Sequence, residues 1–184
     1  MANFLILLLI GFGFNWASVF THFYSVRLGE RGGKLASFIM RNILGIPVWA
    51  YGLALAVRSS ASPFYIPSRA TEILGWLLIL AGTISMIGAL FSLGLRAYRP
   101  TEQDTLVYSG LFKYIRHPIY SGLLLDFIAL ILLRPTIPAL LACVLGWGFV
   151  FILARLEELD LVQRLPAYRQ YMQQVPRFFP RLRK

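Results

Sequence analysis

The chain has 184 residues, 58% of them hydrophobic and 14% charged, with a mean hydropathy of +0.66, whereas a soluble domain carries about 25% charged residues. The single cysteine, Cys143, closes no intramolecular disulfide, and the two histidines, His22 and His117, form no Cys/His cluster for a structural zinc. The net charge of +10 does not point to nucleic acid, because the basic residues flank long apolar runs, and that pattern places the chain in a membrane.

Residues 1–26 contain no Asp, Glu, Lys or Arg and exceed the roughly 20 residues that cross a bilayer core, which predicts a first span. The run lacks the charged n-region of a signal peptide and is longer than its usual apolar stretch, so it is expected in the mature protein. A second run covers residues 35–57, interrupted early by Arg41, and a third covers 73–95 without a charge. On the third, Ala81, Ser85 and Ala89 recur at four-residue spacing, a small-residue stripe that lets a neighbouring helix approach. After a polar stretch, residues 118–133 and 138–154 form two shorter arms around Arg134-Pro135-Thr136-Ile137 and read as a helical hairpin. The expected fold is all-α: a polytopic integral membrane protein of about five transmembrane helices, the last two a hairpin, followed by a cytoplasmic helical tail. It forms a single membrane domain over 1–184, with three N-terminal spans in 1–95 and the loop, hairpin and tail in 96–184.

The connections sort by charge. Arg27, Arg31 and Lys34 of the first loop, Arg96, Arg99, Lys113 and Arg116 of the third, and the seven basic residues of the tail fall on one side. Arg58, Arg69 and Arg134 fall on the other, so the basic side is cytoplasmic and the N-terminus lies outside. At about 1.5 Å per residue each hairpin arm climbs roughly 24 to 26 Å and returns to the level it left. Arg116-His117-Pro118 at the start of one arm therefore faces Arg155-Leu156-Glu157-Glu158 at the end of the other. Pro118 suits the first helical turn, which puts His117 near the N-cap, and a helix start beside Arg116 favours an anion such as a carboxylate. Glu157 and Glu158 opposite would favour an amine or ribose hydroxyls, so a small zwitterion fits between. The alternative is a set of interfacial charges that pair across the hairpin.

At these residues the sequence resembles the isoprenylcysteine carboxyl methyltransferase family and the related membrane phospholipid N-methyltransferases. The matching stretches are Asp104-Thr105-Leu106-Val107-Tyr108-Ser109-Gly110, Tyr114-Ile115-Arg116-His117-Pro118-Ile119-Tyr120-Ser121-Gly122, Glu157-Glu158, Tyr168-x-x-Tyr171 and Val175-Pro176-Arg177-Phe178-Phe179-Pro180. The resemblance covers roughly the C-terminal half. It implies a polytopic enzyme that binds S-adenosyl-L-methionine at the cytoplasmic face, in a bacterial inner (plasma) membrane, and takes a lipophilic small molecule or lipid from the bilayer. It carries cofactor contacts onto Asp104, Thr105, Leu106, Val107, Phe112, His117, Pro118, Ile119, Tyr120 and Glu157 or Glu158. Phe112 stands where relatives often have tyrosine, and Leu165-Pro166 replaces a longer Phe-Gly element, which shifts the register of the tail.

The residues themselves meet the needs of such a cofactor: the Arg116/His117 helix start for its carboxylate, Glu157 or Glu158 for its amine and ribose, Phe112 or Tyr120 for its adenine. Transfer from a sulfonium needs alignment and a dry site rather than a metal. A carboxylate acceptor would be oriented by Arg155 or Arg116, whereas an amine or thiol calls for a base, and His117 is the nearby imidazole. Asp126, eight residues into the fourth span, is either functional or a buried partner of Arg41 or a hydroxyl. His22 reads as interfacial, Cys143 as a small core residue, and Arg181, Arg183 and Lys184 as headgroup contacts. Two rival functions are an NADPH-dependent membrane reductase of a sterol-like lipid, whose enzymes resemble the same C-terminal region, and a non-enzymatic scaffold. The first three spans carry no readable code for the acceptor.

Overall fold

The computed structural model describes residues 3–94 and 105–181, whose regular structure is helical, with one isolated bridge pairing Pro63 and Thr136. In order come α1 (Asn3–Ser18), α2 (Thr21–Phe38), a π-helical segment (Ile39–Gly45), α3 (Ile46–Val57), α4 (Arg69–Leu93), a 3-10 turn (Gly110–Lys113), α5 (Pro118–Leu133), α6 (Ile137–Arg164) and α7 (Tyr168–Gln174). Three stretches, Thr21–Val57, Arg69–Leu93 and Ile137–Arg164, are long and apolar enough to cross a membrane. The helices α1 and α5 are apolar but have 16 residues each, about 24 Å of rise against a core of about 30 Å.

The apolar stretch 1–26 is not one helix. The first helix stops at Ser18, whose hydroxyl donates to the Asn15 carbonyl at 2.7 Å, and the Thr21 amide turns back onto the Val19 carbonyl at 2.8 Å. A serine that bonds the backbone locally competes with the helix ladder. His22 therefore sits in the first turn of α2 rather than within the first helix. Gly29, with φ 74° and ψ 166°, kinks α2 in a conformation open to glycine.

Both hairpin arms form. The second starts at an N-cap, Thr136, that accepts from the Ala139 amide at 3.4 Å, with Pro138 in the first turn where its missing N–H costs nothing. It then runs on to Arg164, ten residues beyond the apolar run, so Glu157 and Glu158 are helical residues rather than loop residues. Lipid tails are as apolar as leucine, so helices in a bilayer associate by close packing, and small residues allow it. Here α4 and α5 meet at Gly82 and Gly122: a Cβ on Gly82 would run into Asp126 Oδ1 and lie 2.7 Å from the Gly122 carbonyl. Ser85 donates to the Pro118 carbonyl at 2.8 Å, Ala89 is fully buried and Gly75 closes on the Leu133 side chain, whereas Ala81 is exposed, so the contact face includes Gly75, Gly82, Ser85 and Ala89. Asp126 Oδ1 is buried against α4 with no hydrogen-bond partner among the described residues. On the other side Phe149 of α6 stacks on Phe12 of α1, centroids 4.1 Å apart, and its carbonyl accepts from Trp16 Nε1 at 3.2 Å. Cys143 is buried in this core.

Gly82→Ala should lower stability by about 1–3 kcal/mol because α4 and α5 must separate. Gly88→Ala, whose Cβ would find its nearest neighbour at 3.5 Å, should be neutral or slightly stabilising. Thermal unfolding of both variants in detergent checks the difference.

Candidate active site

Three segments converge at the start of α5. Gly110 has a φ of 55°, which suits glycine and turns the chain into the 3-10 turn that buries Phe112. His117 is the N-cap of α5, and Pro118 opens the helix. No side chain caps this end, and the amides of Ile119 and Tyr120, in the first turn, have no carbonyl partner within the helix. The tail after α7 lies alongside: the amides of Arg116 and His117 donate to the Pro176 and Arg177 carbonyls at 2.9 and 3.0 Å. The Ser121 hydroxyl donates to the Phe178 carbonyl at 2.7 Å, and Tyr171 donates to the Phe112 carbonyl at 2.6 Å.

Beneath this junction lies the carboxylate of Glu158, 1% exposed. Arg116 reaches it at 2.9 Å, His117 Nε2 at 3.2 Å, and Arg177 grips both oxygens through Nε and a terminal nitrogen. Arg116 also donates to the Met172 and Val175 carbonyls at 2.6 and 3.1 Å, so one guanidinium ties α6 to the tail. The bond to Glu158 holds the Arg177 guanidinium above its usual range, which keeps it charged. Two residues further along α6, Asp160 pairs with Arg164 at 2.6 Å and accepts the His22 amide at 2.9 Å, anchoring the start of α2.

Glu157 has a different setting. It is partly exposed, accepts from the Tyr120 hydroxyl at 2.7 Å, and lies 3.7 Å from His117 Nδ1. The His117 ring stacks on Tyr120 at 5.2 Å with a 12° interplanar angle. If Nε2 donates its proton to Glu158, Nδ1 keeps a lone pair on the Glu157 side. Burial, followed by the nearby glutamates, pushes the Tyr168 hydroxyl far above its ordinary value, and burial does the same for Tyr171, so both remain neutral donors.

A cavity of about 400 Å³ opens over this group and reaches inward among α1, the π segment, α3, α4, α5 and α6. That volume lies within the range of small-molecule sites. Of the residues expected at a cofactor, Thr105, Leu106, Val107, Phe112, His117, Pro118, Ile119, Tyr120 and Glu157 all line it. Glu158 lies below the lining, Asp104 falls outside the described residues, and Arg155 is exposed and not part of the wall. Arg116 lines the cavity with its charge spent on Glu158. The sequence reading missed Arg177 as the partner of Glu158, and it missed Asn15, Arg41, Asn42 and Trp49 of the N-terminal helices, which also line the cavity. A charge inside an otherwise apolar run was the available signal for Arg41.

Fold and cavity together define a helical membrane protein with a ligand-sized site at one end of its hairpin. Residues 70–168 match the family model described as phospholipid methyltransferase, and the chain belongs to that family. This agrees with the resemblance to membrane methyltransferases read from the Arg116-His117-Pro118 and Glu157-Glu158 stretches. The chain is 33% identical over 116 residues to methanethiol S-methyltransferase of Pseudomonas sp. (strain GM41(2012)), a match covering 59% of this chain and 43% of that protein. It is 35% identical over 118 residues to methanethiol S-methyltransferase 2 of Bradyrhizobium diazoefficiens, covering 59% and 44%. The matched region thus spans less than half the length of these relatives. No solved structure gives a significant match.

Glu158→Gln would leave the Arg116 guanidinium, whose side chain is 9% exposed, and the half-buried Arg177 without their counter-charge and should cost about 3–5 kcal/mol. Limited proteolysis should then cut the tail between Arg169 and Arg177 faster than in the wild type, and unchanged protection would count against the clamp.

Proposed function

We propose that this protein is an S-adenosylmethionine-dependent integral membrane methyltransferase acting on a lipophilic acceptor. The carrying observation is one cavity that joins a polar end, at Glu157, Tyr120 and the α5 helix start, to an apolar interior. Family membership favours this reading over a reductase or a scaffold. In it the chain is one membrane domain with five spans, α1 and α5 included, and the site faces the cytoplasm of a bacterial inner membrane, as the distribution of basic residues suggests. The relatives named methanethiol S-methyltransferases make a small hydrophobic thiol the favoured acceptor over a prenylated carboxylate or a phospholipid amine.

The residues fit the cofactor in kind. The Ile119 and Tyr120 amides and the positive end of α5 would hold its carboxylate. Glu157 would take its amine or ribose hydroxyls, with Tyr120 fixing the rotamer, and Phe112, Leu106 and Val107 would cover the adenine. Asp104 and Thr105 join this set by resemblance. S-adenosylmethionine supplies a methyl group on a sulfonium. Glu158 serves as the positioning residue, since it orients His117 and pins the tail that closes the site. His117 Nδ1 is the group able to receive a thiol proton, and the apolar walls exclude water from the acceptor.

Titration calorimetry of the full chain in detergent with S-adenosylhomocysteine tests the reading. Micromolar binding is expected, weakened about tenfold or more by Glu157→Gln and several-fold by Tyr120→Phe. No binding at millimolar ligand, or displacement of that ligand by NADPH, would overturn it.

A further inference from the structure

We propose that Asn15 of α1 selects the methyl acceptor: its free amide oxygen receives the S–H of a small uncharged thiol at the inner end of the cavity. This rests on the methyltransferase reading and adds to it the residue that reads the acceptor and the hydrogen-bond donor that the acceptor must carry.

Asn15 lies in a stretch without charge, between Phe12 and Trp16, and is 5% exposed. A carboxamide buried that far is costly unless its polar atoms are bonded. Half of this one is satisfied, since Nδ2 donates to the Gly11 carbonyl one turn back at 3.3 Å. A carbonyl can meet only a donor, so this bond settles which end of the amide is nitrogen. Gly45 of the π-helical segment closes on the same end, where a Cβ would run into Asn15 Nδ2. The side chain is therefore held from two helices, and Oδ1 is left over. That oxygen has no donor among the described residues, yet it is not one of the partnerless atoms sealed off by packing. Asn15 lines the cavity, so the oxygen opens onto it.

The other polar groups on this side of the cavity are engaged or enclosed. Thr21 Oγ1 meets Ser37 Oγ at 3.4 Å, Arg41 and Asn42 have contacts of their own, and the Trp49 indole N–H is shut in by its packing. The surroundings are apolar. Phe149 stacks on Phe12 and its carbonyl holds Trp16, which puts Asn15 level with Phe149. Leu153 and Glu157 follow at four-residue steps along α6, so the glutamate stands about 12 Å away along the helix axis. Ile46, Trp49, Phe149 and Leu153 supply the wall. One amide oxygen among such side chains suits an uncharged ligand with a single donor and a short hydrocarbon group. A carboxylate or thiolate would set its lone pairs against those of the oxygen, and an ammonium would lie far from the Glu157 carboxylate. A thiol meets both conditions, its S–H donating to Oδ1 and its alkyl group lying against the wall. An amide is no base, so Asn15 binds and orients the acceptor and leaves proton transfer to the hairpin end.

The test uses the full chain in detergent with Asn15→Leu, which keeps the side-chain size and removes the oxygen, and Asn15→Ser, which keeps a smaller acceptor. Ethanethiol is the substrate; 1-butanol and diethyl ether, isomers with and without a donor, are unreactive competitors. S-adenosylhomocysteine affinity should stay within about twofold in both variants, while KM for ethanethiol rises about three- to tenfold in Asn15→Leu and less in Asn15→Ser, with kcat changing less than KM. Butanol should inhibit the wild type at least about fivefold more strongly than the ether, and Asn15→Leu should abolish that preference. Where Asn15→Leu does not accumulate, Asn15→Ser carries the same comparison. Loss of S-adenosylhomocysteine affinity in step with turnover would place Asn15 on the cofactor, and turnover of hexanoate or ethylamine in place of ethanethiol would make the acceptor an ion; either overturns the inference. Wild-type protein that binds no S-adenosylhomocysteine removes the methyltransferase reading and this inference together. Wild-type binding with unchanged kinetics and unchanged butanol preference in the variants removes the inference alone.

Discussion

The arrangement of the polar end hangs on one buried carboxylate. Glu158 is 1% exposed, and an uncompensated charge at that depth would be strongly destabilising. Its compensation comes from segments distant in sequence: Arg116 and His117 before α5, and Arg177 beyond α7. Satisfying Glu158 therefore fixes where the tail runs. With Arg177 held, Phe178 seats against the hairpin and its carbonyl accepts from Ser121. With Arg116 held, Met172 and Val175 are drawn in, and Tyr171 closes onto Phe112. Of these residues Phe112, Arg116, His117 and Tyr171 line the cavity, so an electrostatic need inside the fold helps to set the surface on which a ligand can rest.

The two readings of the hairpin charges, a ligand site or mutual pairing, divide between adjacent residues. Glu158 is consumed by pairing. Glu157, about 100° further round the helix, meets Tyr120 and the cavity instead. Counting residues along the arms was enough to bring Arg116 and His117 opposite the glutamates, because an α-helix has a fixed rise and both arms are regular. It was not enough to say which glutamate faces inward, since that depends on the rotation of α6 about its axis. The same limit hid Arg177, whose place depends on a tail that turns back after Gln174. The motif resemblance supplied the tail's importance, and the geometry supplied its reason.

Less of the N-terminal half could be read. The charge-free stretch 1–26 satisfies the composition of a span throughout, yet Ser18 and the Val19-Phe20 turn divide it, because hydropathy carries no information about a local hydroxyl bond. Nor could the π segment be anticipated, as residues 39–45 are apolar at most positions under either helical register. Its setting depends on glycines in two different helices, Gly11 and Gly45, that let α1 approach. Bilayer packing favours such contacts, since it is contact rather than hydrophobic burial that holds helices together there. The small-residue stripe on α4 illustrates the same point: four-residue spacing selected Ala81, but Ala81 is exposed and the residue that meets α5 at that level is Gly82, one position later.

The electrostatic design follows from these two halves. On the proposed reading a methyl group leaves a sulfonium whose concentrated charge disperses as the bond breaks, so strong solvation of the reactants would oppose the step. An apolar cavity weakens that solvation, but it also makes ions costly to admit. Fixed counter-charges resolve the conflict when they are held by the fold and need not reorganise. On the proposed reading, Glu157 stands on the hairpin side of the cavity, braced by Tyr120. The deeper cluster of Glu158, Arg116 and Arg177 satisfies its own charges by direct pairing and contributes mainly rigidity. Separating the charges that support the fold from the one that faces the cavity lets one small membrane domain bury several ions and still turn the Glu157 carboxylate toward a ligand-sized space.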